Sequence, residues 1–135
     1  MKNILTYKGA VMTWECDSNR HMNVMYYVNK FEHAGRAFSL EMGLTELGRD
    51  DNDTGIVVVE QKIKYLKEVF EDDLLYIEST LLHVGNKAFT ILHEMYEAKS
   101  KVVVSTMEVV LVLFDKKNRK ALLFPEDKRR KLLKE

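Results

Sequence analysis

The chain has 135 residues, of which 46% are hydrophobic, 10% aromatic and 31% charged, and this composition predicts one globular domain over residues 1–135. Cys16 is the only cysteine, so an intrachain disulfide framework is excluded, and no set of Cys and His residues has zinc-site spacing. Lysine plus arginine equals aspartate plus glutamate, at 21 each, and this balance indicates no nucleic-acid partner.

The first residues, Met1 to Lys8, lack the long apolar stretch of an export signal. No window of the sequence approaches the roughly eighteen consecutive apolar residues that a membrane-spanning helix needs. We therefore expect a cytoplasmic protein without a membrane span.

The predicted elements begin with a strand from Leu5 to Trp14, which is followed by a long helix from Asn23 to Met42. Asn23 has the residue type of an N-cap, and Gly43 can take the left-handed conformation that ends a helix. The apolar positions at helical spacing are Val24, Val28, Phe31, Phe38 and Met42. The polar positions expected to face water are Asn29, Lys30, His33 and Arg36.

After the helix the apolar period changes from helical spacing to two, and a half-buried strand is predicted from Gly55 to Leu66. One face would carry Val57, Val59, Ile63 and Tyr65, and the other Val58, Glu60, Lys62 and Lys64. Tyr65 is expected in the core.

Two further strands, Leu74–Val84 and Ala88–Ala98, flank Gly85-Asn86, a pair typical of a two-residue hairpin turn. Val102–Phe114 is rich in β-branched residues and predicts a strand covered on both faces. A short terminal helix should open at Pro125-Glu126-Asp127. This order predicts an α+β architecture in which an antiparallel sheet of about five strands curls around the long helix.

The residues that carry chemistry cluster where the first strand leads into the helix. The run from Asp17 to Glu32 reads DSNRHMNVMYYVNKFE. It resembles the signature of hot-dog-fold acyl-CoA thioesterases of the 4-hydroxybenzoyl-CoA thioesterase type. The matching positions are Asp17, His21, Asn23, Tyr27 and the pair Phe31-Glu32. Two positions depart from the signature, because Arg20 replaces a glycine and Val24 replaces a second asparagine.

The resemblance covers nearly the whole chain and implies a single hot-dog domain that hydrolyses a small or medium acyl-CoA to the free acid and CoA. It implies Asp17 as general base or nucleophile, with backbone N–H groups near Asn23 to Met25 as the oxyanion site. The helix start suits this role, because its unpaired N–H groups and positive dipole end stabilise a developing negative charge. It also implies a homo-oligomer, either a dimer or a dimer of dimers, and no metal or other cofactor.

Each site residue also has a structural interpretation. Asp17 could close an Asx turn, His21 could orient the loop or a substrate group, and Asn23 could act only as a helix cap. We predict Asp17, His21 and Asn23 as catalytic residues.

Four residues are predicted to bind substrate: Arg20, Met25, Tyr27 and Glu60. Arg20 could pair with Asp17 and lower its pKa, or bind an anionic part of the substrate. Glu60 and its neighbour Gln61 should point to opposite faces of their strand, so only one of them can reach a given site. Cys16 lacks the paired histidine of a thiol nucleophile.

Two other functions fit the sequence. A non-catalytic module that binds acyl-CoA or acyl-carrier protein would keep the pocket, and the changes at Arg20 and Val24 favour this alternative. A hydratase or dehydratase would use a histidine and a carboxylate to move protons at adjacent carbons. The spacing of Asp17 and His21 fits the thioesterase signature better.

Overall fold

A computed structural model of the protein describes residues 3–46 and 53–134. The strands are β1 (Ile4–Ala10), β2 (Thr54–Tyr65), β3 (Leu74–Val84), β4 (Ala88–Glu97), β5 (Val102–Asp115) and β6 (Lys120–Ala121). The helices are α1 (Val24–Glu41) and α2 (Glu126–Lys134), and single 3₁₀ turns lie at Thr13–Glu15 and Leu44–Glu46.

One antiparallel sheet in the order β1-β3-β4-β5-β2 holds the fold together, and β6 extends it from the end of β5. Helix α1 packs against the inner face of this sheet over β1, β3 and β4. The core between them is formed mainly by aliphatic and aromatic side chains, among them Phe31, Phe38, Leu75, Ile91 and Met107. The predicted α+β arrangement of a sheet around one long helix is confirmed.

The start of α1 is set by its cap, because the Asn23 side chain accepts a hydrogen bond from the Met25 N–H at 3.0 Å. The helix ends as predicted at Gly43, whose φ of 73° is the left-handed conformation that glycine adopts without a side-chain penalty.

Lys30 contradicts the prediction that it faces water, since its side chain is 2% exposed. It lies three residues after Tyr27 and four before Ala34, which places it on the buried stripe of the helix. Its Nζ donates to Glu15 Oε2 at 2.7 Å and lies 5.5 Å from the centre of the Tyr7 ring. Glu15 Oε1 accepts the Met12 N–H at 2.9 Å, so the buried pair ties the turn before Asp17 to the helix.

A β-bulge at Val59 changes the predicted alternation of β2. Val58 lies opposite Leu111 and Glu60 lies opposite Val110, so one extra residue sits on the β2 side. The inner face therefore carries Ile56, Val58, Gln61, Ile63 and Tyr65. The outer face carries Val57, Glu60, Lys62 and Lys64, so the prediction had Val57 and Val58 on the wrong faces.

Other differences are local. β1 stops at Ala10, and Trp14 lies in a 3₁₀ turn rather than in the strand. The β3–β4 reversal lies at Asn86-Lys87, one residue later than predicted, with the Gly85 N–H donating to Ala88 O at 2.7 Å. Tyr65 is half-exposed rather than in the core, because β2 is the last strand of the sheet.

Helix α2 begins after Pro125 as predicted and packs on the β3–β4 hairpin. Leu132 is buried there, and Arg129 Nε donates to Gly85 O at 3.2 Å. Neither helix in residues 3–46 and 53–134 combines the length and apolarity needed to cross a membrane.

Candidate active site

Asp17 sits in a tight turn immediately before α1. Its Oδ1 accepts the Asn19 N–H at 2.9 Å, which forms an Asx turn, and its carbonyl oxygen accepts the Arg20 N–H at 2.9 Å. The Asp17 N–H donates to His21 O at 3.1 Å and closes the loop. The structural interpretation of Asp17 is therefore correct, but one carboxylate oxygen still faces the helix.

Asn23 links the Asp17 carboxylate to the helix. Its Nδ2 donates to Asp17 Oδ2 at 3.2 Å, while its Oδ1 caps the Met25 N–H. The N–H of Asn19 and the amide of Asn23 hold the pKa of Asp17 below its usual range, and the nearby His21 adds to this effect. Asp17 is therefore ionised at neutral pH, as a base or nucleophile must be.

The first N–H groups of α1 differ in what they bind. The Asn23 N–H donates to Glu15 O at 2.9 Å, and the Met25 N–H is taken by the cap. The Val24 N–H has no acceptor in the described part of the chain, and the Val24 side chain is 57% exposed. Of the three N–H groups predicted for the oxyanion site, this geometry leaves the one on Val24 available.

Arg20 occupies the position of the signature glycine, and its φ of 68° explains why a glycine fits there. The side chain is exposed, and no carboxylate in residues 3–46 or 53–134 forms an ion pair with it. The low pKa of Asp17 arises from Asn19, Asn23 and His21 rather than from Arg20. The alternative in which Arg20 pairs with Asp17 is therefore wrong.

Replacing Arg20 by glycine is expected to raise the free energy of unfolding by up to about 1 kcal/mol, because a left-handed residue with a β-carbon is strained. It should leave kcat for neutral acyl-CoAs within about twofold of wild type, since the guanidinium does not touch Asp17. Urea unfolding and steady-state kinetics measure both. Lys101→Gly, at an exposed residue with φ 60°, is the matched control for the backbone effect. A several-fold rise in kcat for Arg20→Gly alone would contradict this interpretation.

The loop from Lys67 to Asp73 supports the site from the side, and sequence reasoning missed it. Met22 N–H donates to Val69 O at 2.9 Å, and His21 pairs with Phe70 through a single β-bridge. His21 Nε2 lies 3.7 Å from Glu68 Oε1. No local signal could reveal this loop, because it meets the Asp17 turn only through long-range pairing.

Tyr27 is buried one turn into α1, where its hydroxyl donates to Lys67 O at 3.4 Å and its ring packs edge-on against Tyr65. Burial raises its pKa. Met25, by contrast, is 60% exposed beside the helix start. Glu60 is exposed on the outer face of β2, whereas Gln61 points inward. The structure thus brings together Asp17, Arg20, His21, Asn23 and Met25, with Tyr27 beneath them and Glu60 apart.

Cys16 precedes Asp17, and its thiol lies 3.8 Å from Met12 O. Desolvation and the carboxylates of Glu71, Glu15 and Asp17 raise its pKa. This environment disfavours the thiolate. No cluster of ligating side chains in the described residues could hold a metal ion.

A cavity of about 540 Å³ lies between the second half of α1 and the inner face of the sheet. Its apolar lining residues include Phe31, Ile91, Met107, Val109 and Leu111, and its polar lining residues include Glu32, Arg36 and Gln61. His93 also lines it and is 1% exposed. Burial lowers the pKa of His93 to about 4. His93 is not among the site residues predicted from the sequence, although it alternates with Ile91 and Met95 on an inward face.

The buried His93 should make stability depend on pH. Because its pKa is about 4 in the folded state and near 6.5 when exposed, only the unfolded chain binds this proton between those values. The free energy of unfolding should therefore fall as pH decreases from 6.5 to 4, by about 3 kcal/mol in total. Urea unfolding across this range tests it, with His83→Asn as the exposed control. The prediction fails if His93→Asn has the same pH slope as wild type.

Comparison with known proteins gives one family match. The model of the thioesterase-like superfamily matches residues 11–132. No curated protein matches the chain.

Several solved structures are similar. YbaW, a probable thioesterase from Escherichia coli, has 25% identity and a TM-score of 0.82, and the match covers 96% of both chains. SAV2348 from Staphylococcus aureus, solved in complex with CoA, has 20% identity and a TM-score of 0.85 over 99% of this chain and 85% of its own. Slr0204, a 1,4-dihydroxy-2-naphthoyl-CoA thioesterase from Synechocystis, has 14% identity and a TM-score of 0.84 over 98% of this chain and 96% of its own.

Proposed function

The chain belongs to the thioesterase-like superfamily and is a thioester hydrolase with the hot-dog fold, and from this premise we propose that it hydrolyses an acyl-CoA at the Asp17 turn. The observation that carries the proposal is the chain of contacts from Asp17 through Asn23 to the start of α1. It holds an ionised carboxylate beside a helix terminus whose Val24 N–H is available. The CoA bound to SAV2348, which shares the fold, supports CoA as the carrier of the acyl group.

In the proposed reaction, Asp17 takes a proton from water as the water oxygen attacks the thioester carbonyl carbon. The carbonyl oxygen becomes an oxyanion that accepts a hydrogen bond from the Val24 N–H and is stabilised by the positive end of the helix dipole. The C–S bond then breaks, and the proton returns from Asp17 to the CoA sulfur. If Asp17 instead attacks directly, its carboxylate oxygen bonds to the carbonyl carbon, the C–S bond breaks and the CoA thiolate leaves. Water then opens the resulting mixed anhydride to the free acid and the Asp17 carboxylate, and the released proton goes to the CoA sulfur.

The remaining predicted residues fit supporting roles in this proposal. His21 and Asn23 hold the Asp17 turn and its charge, and Tyr27 positions the Lys67 loop beneath it. In this proposal the exposed Arg20 meets a CoA phosphate, and the exposed Met25 contacts the apolar part of the pantetheine arm.

We further propose that the protein is a homodimer or a dimer of dimers. Strand β2 is the last strand of the sheet, and Val58 and Val59 on it are 44% and 57% exposed. A second copy that covers this edge would hide apolar surface and a row of backbone hydrogen-bonding groups. Glu60 would then face the partner protomer. Light scattering after gel filtration tests the oligomeric state, and a monomer at assay concentration would overturn the proposal.

Thiol release by the purified protein from short, medium-chain and aromatic acyl-CoAs tests the proposed activity. We expect turnover of at least one class, which would also define the acyl group. Calorimetric binding of acyl-CoA without turnover of any member would instead support the non-catalytic binding module.

A further inference from the structure

The cavity beside α1 contains a buried polar group that the proposed reaction does not use. His93 Nδ1 lies 2.5 Å from Ser79 Oγ, and Ser79 Oγ lies 2.8 Å from Thr6 Oγ1. Thr6 Oγ1 donates to Ile77 O at 3.2 Å. These three side chains form one hydrogen-bonded line across β1, β3 and β4, and each of them is buried.

The donor and acceptor of each hydrogen bond along this line follow from the number of protons that each group can donate. Thr6 has one hydroxyl proton and donates it to Ile77 O, so it accepts from Ser79. Ser79 has then used its only proton and must accept from His93. The Nδ1 of His93 is therefore protonated. Because burial keeps the ring neutral, Nε2 carries a lone pair and acts as an acceptor.

The Nε2 atom makes no hydrogen bond to any residue in 3–46 or 53–134. All fully buried side-chain nitrogens and oxygens in this part of the chain have partners, so Nε2 must be reachable from the cavity. A β-carbon added at Gly35 would lie 3.8 Å from it, which places Nε2 against the one helix position without a side chain. The histidine thus presents one buried acceptor to a cavity that Glu32, Arg36 and Gln61 also line.

We propose that this cavity receives the acyl part of the substrate and that His93 Nε2 selects acyl groups carrying a hydroxyl. This inference rests on the proposed acyl-CoA thioesterase function. A hydroxyl can donate to Nε2, whereas a carbonyl or ether oxygen would place one acceptor against another. A plain hydrocarbon would fill the volume but leave Nε2 desolvated and unpaired.

Matched pairs of acyl-CoAs test the proposal. Each pair has the same carbon skeleton with and without one hydroxyl, in aliphatic and aromatic series of increasing length. Wild type should prefer the hydroxylated member of at least one pair by about tenfold or more in kcat/KM. A ratio near one for every pair that is hydrolysed would overturn the proposal.

Two variants assign the preference to His93. His93→Asn keeps an amide N–H for Ser79 and removes the Nε2 acceptor, and Gly35→Ala places a methyl group over Nε2 at ordinary contact distance. Both should bring the kcat/KM ratio to within about threefold of one. His83→Asn, at an exposed histidine on β3, should keep the wild-type ratio. If His93→Asn fails to fold, Gly35→Ala still decides, because alanine favours the helix. A wild-type kcat/KM ratio in the folded variants would show that His93 does not set the preference, and would overturn the proposal.

Two further readouts do not depend on turnover. Nitrogen NMR of histidine-labelled protein should show the Nδ1–H form of His93, and an Nε2–H form would overturn the proposal. Calorimetry with the free hydroxy acids and their deoxy analogues should give the same preference as the kinetics. If no thioester is hydrolysed but the hydroxy acids bind more tightly, the proposed function fails and the ligand assignment stands.

Discussion

Replacing Asp17 by asparagine is expected to lower kcat for acyl-CoA hydrolysis about a thousandfold, while the protein remains folded. The carboxylate is the one ionised group joined through Asn23 to the helix start, and an amide cannot take a proton from water or attack the thioester. Thiol release under saturating substrate measures the effect.

The substitution also changes local contacts, and a second variant separates the two effects. In Asp17→Asn the new amide would face the Asn23 amide, so a donor would meet a donor. Asp17→Ser keeps an oxygen for the Asn19 N–H without a charge. Equal losses in both variants would assign the effect to the carboxylate.

Asp115 supplies the matched control for Asp17. Backbone N–H groups of Asn118 and Lys117 lower its pKa as Asn19 does for Asp17, but it lies at the far end of β5. Asp115→Asn should therefore retain wild-type kcat. More than a tenth of wild-type kcat in folded Asp17→Ser would exclude Asp17 as base or nucleophile.

Replacing Lys30 by methionine is expected to lower the free energy of unfolding by about 3–5 kcal/mol, because it leaves the Glu15 carboxylate buried without its cation. Urea unfolding with a check for unchanged slope measures the loss. Because Glu15 O also accepts the Asn23 N–H, the same variant should loosen the Asp17 turn.

Removing both charges should recover most of this loss. Lys30→Met with Glu15→Gln keeps an oxygen for the Met12 N–H and leaves no buried charge. Arg130→Met breaks a pair whose side chains are 71% and 61% exposed, so it should cost less than about 0.5 kcal/mol. A loss below about 1 kcal/mol for Lys30→Met would mean that Glu15 is solvated in solution.

Local patterns in the sequence predicted much of this architecture. The helix followed from apolar spacing between Asn23 and Gly43, and the hairpin from a turn pair between alternating segments. The Asp17 turn could be predicted because its residues are consecutive in the sequence, so their spacing alone indicates that they lie together. The burial of Lys30 could also have been predicted, since Lys30 lies on the same buried face of the helix as Tyr27 and Ala34.

The features that sequence reasoning missed depend on strand pairing. The protonation of His93 follows from Ser79 and Thr6, which lie on two other strands. The inward face of β2 depends on a bulge that only the register with β5 defines. Such pairings join residues far apart in the chain, and neither periodicity nor local propensity determines them.

The bulge at Val59 decides which side chains of β2 form the cavity wall. Its extra residue puts the two halves of β2 in opposite phase, which turns the neutral amide of Gln61 inward and leaves Lys62 and Lys64 outside. If every residue of β2 paired one-to-one with β5 from Val58 onward, both lysines would point at the cavity. Deleting Val59 would instead remove the bulge and keep Gln61 inward, so homologous chains one residue shorter at this point should have a regular strand with the same cavity wall.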